Sequence, residues 1–323
     1  MLSGMVLEPF SPGKVNAIRA AARQGSMGEE WVNMIRKIKK SGVLYIVPAM
    51  IVVAAVMFYP LIYTLVMGFF ENTLYMKTPA FCGLKQYSAL FGDKVFMQSI
   101  GNTIVWTAGS VVFQFSLGFF FALLLHQSFV KGKTVLRILL MVPWVLPSII
   151  GASVWQWMYN ADYGILNFIF KTLGIIEKNR TWLAGGDTAM LSVVAVNVWK
   201  MFPFVLLMVE ASLQGVGKDL KEAAVIDGAT RWDVFRNVTW PAISQNCYSV
   251  LLLLTIWTLN AFTFIYALTE GGPAHKTEVM AMYIYKKAFT NYDFGIASAA
   301  STVLFFLSMA VAVIHIRLTK EEA

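Results

Sequence analysis

Charge is scarce in this chain, at 14% of residues, and so are the residue types that build disulfides and metal centres: two cysteines and three histidines in 323 positions. Cys82 and Cys247 fall at opposite ends of the expected topology and cannot pair within one chain. His126, His275 and His315 are scattered, so no metal constellation is visible. Asp and Glu are missing from the middle of every long apolar block, which argues against the intramembrane carboxylates of an ion-gradient-driven transporter. What the chain has instead is apolar bulk: 58% hydrophobic residues and a mean hydropathy of +0.63. That balance excludes an ordinary soluble globular protein and points to an integral membrane protein.

The apolar residues fall into six blocks, at about 43–70, 99–125, 138–159, 189–211, 242–268 and 294–316. Each is long enough to cross roughly 30 Å of hydrocarbon at about 1.5 Å per residue. The expected fold is therefore all-α, six membrane helices over 43–318, with a leader at 1–42 and a short tail at 319–323. Pro48, Pro60, Pro143, Pro147 and Pro203 are candidate kinks within these spans.

Basic residues in short loops set the orientation. The first 40 residues carry seven Lys and Arg against three acids, and the loop after the second block carries Lys131, Lys133 and Arg137 against none. Both termini are expected on the cytoplasmic side. The net charge of +8 reflects this bias and is not a nucleic-acid footprint. About 42 mostly polar residues precede a first block of full span length, so a cytoplasmic leader is expected and not a cleaved signal peptide. Within it, Trp31, Met34, Ile35 and Ile38 alternate at helical spacing with Arg36, Lys37, Lys39 and Lys40, the pattern of an interfacial helix on membrane lipid.

One polar segment interrupts the apolar chain. From Lys221 to Pro241 the sequence KEAAVIDGATRWDVFRNVTWP reads as a small-residue helix, a glycine turn at Gly228, and a second helix opened by a capping-box pair, Thr230 and Asp233. Leu220, Ala223, Ala224 and Ile226 offer an apolar patch with Glu222 at its edge, a surface suited to docking. Ala224, Gly228 and Val234 also satisfy a loose helix-turn-helix spacing. However, Lys218 to Arg236 holds four basic and four acidic residues, and tethering at both ends is awkward for entering a groove, so DNA is rejected as a partner.

Glu222-Ala223-Ala224, with Gly228 six residues after the Glu and then Val238 and Pro241, resembles the cytoplasmic EAA loop of permease subunits in binding-protein-dependent ABC importers. Asp227 stands beside that glycine. Val238 and Trp240 replace the usual aliphatic pair. Phe58-Tyr59-Pro60, Gly83-Leu84 with Tyr87, and Leu268 to Pro273 followed by Thr277 and Tyr283 to Phe289 are similar to the first permease subunit of maltose-type carbohydrate importers, an alginate oligosaccharide importer among them. The likeness runs from residue 43 onward. It implies a non-catalytic subunit in a bacterial cytoplasmic (inner) membrane, with a coupling loop at 212–241. Its implied partners are a homologous second permease, two ATPase subunits carrying ATP and Mg, an extracytoplasmic solute-binding protein facing Glu270 to Asp293, and an oligosaccharide. No cofactor is expected in this chain. Gly132-Lys133-Thr134 lacks the earlier glycine of a phosphate loop, since Gln127 stands there. Leu183 to Asp187 only faintly imitates an ABC signature and is expected on the outer side.

Lys200 lies near the middle of the fourth block, where a lone cation costs about 2.5 to 3.5 kcal/mol. Either it meets an anionic substrate, or it is hydrogen-bonded to a partner subunit or to carbonyls. Asn197 lies about one turn before it and Phe204 one turn after, a face suited to sugar hydroxyls and rings. Thr258, Asn260 and Trp155 could line the same cavity, or serve as packing and interhelical glue. An amphipathic stretch at Ile165 to Leu173 is expected along the outer surface. The alternatives from other classes are an ion-driven secondary transporter, a permease for another small polar solute, and a non-transporting scaffold.

Overall fold

The computed structural model describes residues 43–127 and 129–321; the leader helix expected around Trp31 to Ile38 lies outside them. Backbone contacts divide the chain into a unit ending at Tyr63 and a unit Thr64–Ala323.

The described part of the first unit is helical: α1 (Val43–Val53), a π-turn at Ala54–Phe58, and the start of α2 (Tyr59–Met67). Pro60 lacks an N–H and its ring crowds the carbonyl four residues earlier. The wide turn just before it, closed by Tyr59 N–H on the Ala54 carbonyl, absorbs that conflict without ending the helix. The same device recurs ahead of Pro241.

The second unit continues with a hairpin of β1 (Phe70–Glu71) and β2 (Ala80–Phe81), then α3 (Lys85–Gly92), α4 (Lys94–His126), α5 (Lys133–Val145), α6 (Ser148–Met158), α7 (Ile165–Thr172) and α8 (Ala189–Gln214). There follow α9 (Lys218–Ile226), α10 (Arg231–Val234), a π-turn at Phe235–Thr239, α11 (Trp240–Asn260), α12 (Thr263–Thr269), α13 (Met280–Tyr285), a π-turn at Lys286–Thr290, and α14 (Phe294–Glu321). Among the described residues five helices are long and apolar enough to span a membrane, and six when α5 and α6 count as one broken span.

That break corrects the expected third span: 138–159 is two helices bent by 97°. Pro147 disfavours helical backbone at the residue before it, and Leu146 is extended (ψ 137). The fifth span is also shorter than expected, because the helix stops at Asn260, Ala261 turns extended (φ −78, ψ 128), and α12 begins anew.

Two helices organise the unit. On α4 the buried positions Phe96, Ser99, Thr103, Trp106, Ser110, Gln114, Gly118, Ala122 and Leu125 recur every three or four residues, one face of a helix. The other face exposes Ile104, Val112, Phe113 and Phe120, as a hydrocarbon-facing surface does. α8 is buried over 72% of its most apolar stretch, as a central helix is. The two cross closely at Gly118, where a Cβ would lie 2.5 Å from the Val205 Cβ and 2.6 Å from the Phe202 carbonyl oxygen. Small residues permit such approaches where lipid gives no hydrophobic drive to helix pairing.

Candidate functional site

The segment between α8 and α11 folds as its local sequence dictates. Gly217 precedes α9, and Gly228 ends it at φ +86, a conformation costly for any residue with a Cβ. The N–H groups of Asp227, Gly228 and Ala229 close onto the carbonyls of Ala223, Val225 and Ala224 at 3.0, 3.1 and 2.9 Å, satisfying helix-end acceptors. Thr230 and Asp233 then form a complete capping box: the Thr230 N–H donates to the Asp233 carboxylate at 2.9 Å and the Asp233 N–H to the Thr230 hydroxyl at 3.3 Å.

On this rigid frame Glu222, Ala223, Val225, Ile226, Asp227 and Gly228 are exposed, and Ala224 is half-buried. Leu220 and Trp232 are exposed as well. The back of the pair is fastened: Lys221 Nζ lies 3.4 Å from His126 Nε2 at the end of α4, where burial lowers the ammonium pKa, and Trp240 packs edge-on against Phe119. The result is an apolar, small-residue face with a free-standing carboxylate at its rim, presented where two membrane helices end.

In the core, Lys200 is only 8% exposed. Its ammonium donates to the Trp144 carbonyl at 2.9 Å and to the Leu146 carbonyl. These carbonyls sit at the α5–α6 break, where the backbone ladder is interrupted and a helix end concentrates negative partial charge. Phe204 lies between the rings of Trp144 and Trp257, at 6.0 and 5.0 Å. The Asn197 backbone carbonyl accepts from Gln114 Nε2 at 3.3 Å, while its side-chain nitrogen is buried without a partner among the described residues. Trp155 packs on Tyr159 and Trp199, its indole N–H buried and unpaired among the described residues. Thr258 is buried, and its carbonyl takes the Trp106 indole N–H at 2.9 Å. Asn260 stands apart: it donates to the Ile256 carbonyl at 2.8 Å and lines a cavity of about 390 Å³ with Ser301, Phe305 and Ser308. Thus Lys200 and Phe204 meet at Trp144, and Trp155 joins the neighbouring Trp199.

Sequence reasoning missed three ties. Arg137, counted there as a topological charge, makes a two-pronged ion pair with Glu210, so α5 is pinned to α8 both here and at Lys200. Glu278, 2% exposed, takes His275 Nδ1 at 2.7 Å and Lys286 Nζ at 2.8 Å. Asn102 donates to the carbonyls of His275 and Glu278 at 2.8 and 3.0 Å, fixing the 270–293 loop to α4. The opposite charges of Arg137 and Glu210 at matching depth were the available signal.

A broken-span helical bundle with an exposed polar helix pair between its fourth and fifth spans has the fold of an ABC importer permease. The family model for the inner membrane component of binding-protein-dependent transport systems matches residues 114–319, and the chain belongs to that family. The trehalose/maltose transport system permease protein MalF of Thermococcus litoralis is 34% identical over 292 residues, 88% of this chain and 97% of that protein. The sulfoquinovosyl glycerol transport system permease protein SmoG of Agrobacterium fabrum is 31% identical over 279 residues, 86% of this chain and 90% of that protein. Among solved structures, a bacterial ABC transporter involved in import of the acidic polysaccharide alginate superposes with a TM-score of 0.78 at 22% identity. The match covers 90% of this chain and 99% of that one, a likeness of fold.

Proposed function

We propose that this chain is the permease subunit of an ATP-driven carbohydrate importer, taking an oligosaccharide through a pathway shared with a homologous second permease. The observation that carries the reading is the exposed α9–α10 pair, with Glu222, Ala223, Ala224, Asp227 and Gly228 on a face that nothing in the second unit's own core requires. An ATPase subunit docks there, and its closure on ATP and Mg moves α8 and α11 as rigid bodies. Catalysis belongs to that partner; this chain couples and selects. In this reading both termini and the α9–α10 pair are cytoplasmic in a bacterial inner membrane. The 270–293 loop faces a solute-binding protein.

Relatives named for trehalose/maltose and for sulfoquinovosyl glycerol transport support a sugar as cargo. The acidic version, an alginate-like oligosaccharide, draws on the structural neighbour more than on Lys200, whose ammonium already serves two carbonyls. Asn197, Phe204, Thr258, Asn260 and Trp155 remain the candidate cargo contacts. The test is ATP hydrolysis by the co-purified assembly over a panel of neutral and acidic oligosaccharides with the solute-binding protein. Stimulation by one sugar class supports the proposal, and hydrolysis indifferent to every sugar but responsive to another polar solute overturns it.

A further inference from the structure

After the α6 turn, α7 is apolar on both sides. Its inner side is fixed: Leu166 packs into the core, Phe170 lies 5.4 Å from the Trp182 ring, and Asn167, 2% exposed, is held by five hydrogen bonds. It donates to the carbonyls of Asn160, Ala161 and Arg180 and accepts from the Arg180 N–H and the Trp182 indole. The helix therefore cannot roll to hide its other side, where Ile165, Phe168 and Ile169 stand exposed, followed past the helix end by exposed Leu173 and Ile175, Phe168 at 67%. A stripe of five large apolar residues is not a water-facing surface.

We infer that this stripe is an anchor seated in the lipid leaflet at the end of the bundle where α6 finishes and α8 begins. Three observations favour lipid as the occupant over protein. The stripe follows Ile150, Val154 and Trp157, the exposed face of membrane helix α6. Trp157 and Tyr163, both exposed, meet edge to face at 6.1 Å, and these residue types settle at the boundary of hydrocarbon and headgroups. The groove beside the helix, about 630 Å³, is lined by Tyr163, Ile165 and Phe168 together with Asp162, Lys171 and Asn179. Apolar residues there run into polar and basic ones, the gradient an interfacial helix meets. The anchor fixes the outer half of the broken third span, as Lys200 and Glu210 fix the inner half.

The experiment uses the full chain purified with its bound subunits and reconstituted in phospholipid nanodiscs, with Cys82→Ser and spin labels at Phe168→Cys, Ile175→Cys or the polar reference Asn179→Cys. Collision with oxygen, which concentrates in hydrocarbon, is compared with collision with a water-soluble nickel chelate. The anchor predicts an oxygen-to-nickel ratio severalfold higher at 168 and 175 than at 179. Nickel access at 168 equal to that at 179 overturns it. Protection of 168 from both reagents, whether constant or on adding the solute-binding protein, also overturns it by showing a protein occupant.

Discussion

The membrane-depth charges of this permease are tied to the break in its third span. Lys200 compensates carbonyls at the break between α5 and α6, and Arg137 compensates Glu210, which is 5% exposed. Replacing Lys200 by Met removes the donor from two part-buried carbonyls, at about 1–3 kcal/mol in all. The expected outcome is a lower unfolding temperature of the purified assembly and an equal fall in uptake of acidic and neutral sugars; a selective loss of acidic cargo would move Lys200 into the substrate path. Arg137→Ala strands the buried Glu210 carboxylate, its side chain 6% exposed against 36% for Arg137, so it should destabilise more than the Arg137→Ala, Glu210→Ala pair together. Thermal unfolding of the two variants checks this, the partner-loss penalty exceeding the value of the pair itself. From sequence, Lys200 was visible as an anomaly but its partners were not. They lie 54 and 56 positions away, and backbone carbonyls have no sequence signature.

Elements whose form depends on a few adjacent residues were legible. Gly228 at φ +86 and the Thr230–Asp233 box stand where the sequence put them, because helix ends are decided locally. The 97° bend was not legible, since both halves are apolar and a proline alone signals a kink of unknown size. Nor was the 2.5 Å approach at Gly118, which depends on how α4 and α8 cross. Gly118→Leu would force that crossing apart, at about 1–3 kcal/mol for overpacking, and should lower the yield of folded protein in membranes more than Gly101→Leu, where a Cβ meets open space. At the opposite end of α4, burial tends to raise the Asp93 pKa, but the Tyr283 hydroxyl, the Val95 N–H and Lys287 outweigh it and hold the carboxyl below its ordinary value of 3.8. A depressed folded pKa gives stability that is present above the unfolded value and lost as pH falls through the folded one. Hydrogen exchange in α13 should therefore quicken only in strong acid, and Asp93→Asn should remove that dependence.

On the scale of the molecule, the fold places a fastened, exposed helix pair where α8 and α11 end, and α8 runs from it through the packed centre. α8 is clamped to α5 by two polar ties and to α4 by close packing at Gly118, a stiff path for the coupling proposed above. Such coupling needs an element with two arrangements, and the broken third span, hinged between its ties and α7, is the best candidate. The measurement that bears most directly on the account is retention of the ATPase by Glu222→Ala and Gly228→Val on co-purification from membranes, paired with sugar uptake. If the α9–α10 pair docks the ATPase, both variants yield correctly inserted permease, a several-fold loss of bound ATPase or hydrolysis without transport, and lost uptake. Full ATPase binding with unchanged uptake in both variants would contradict it.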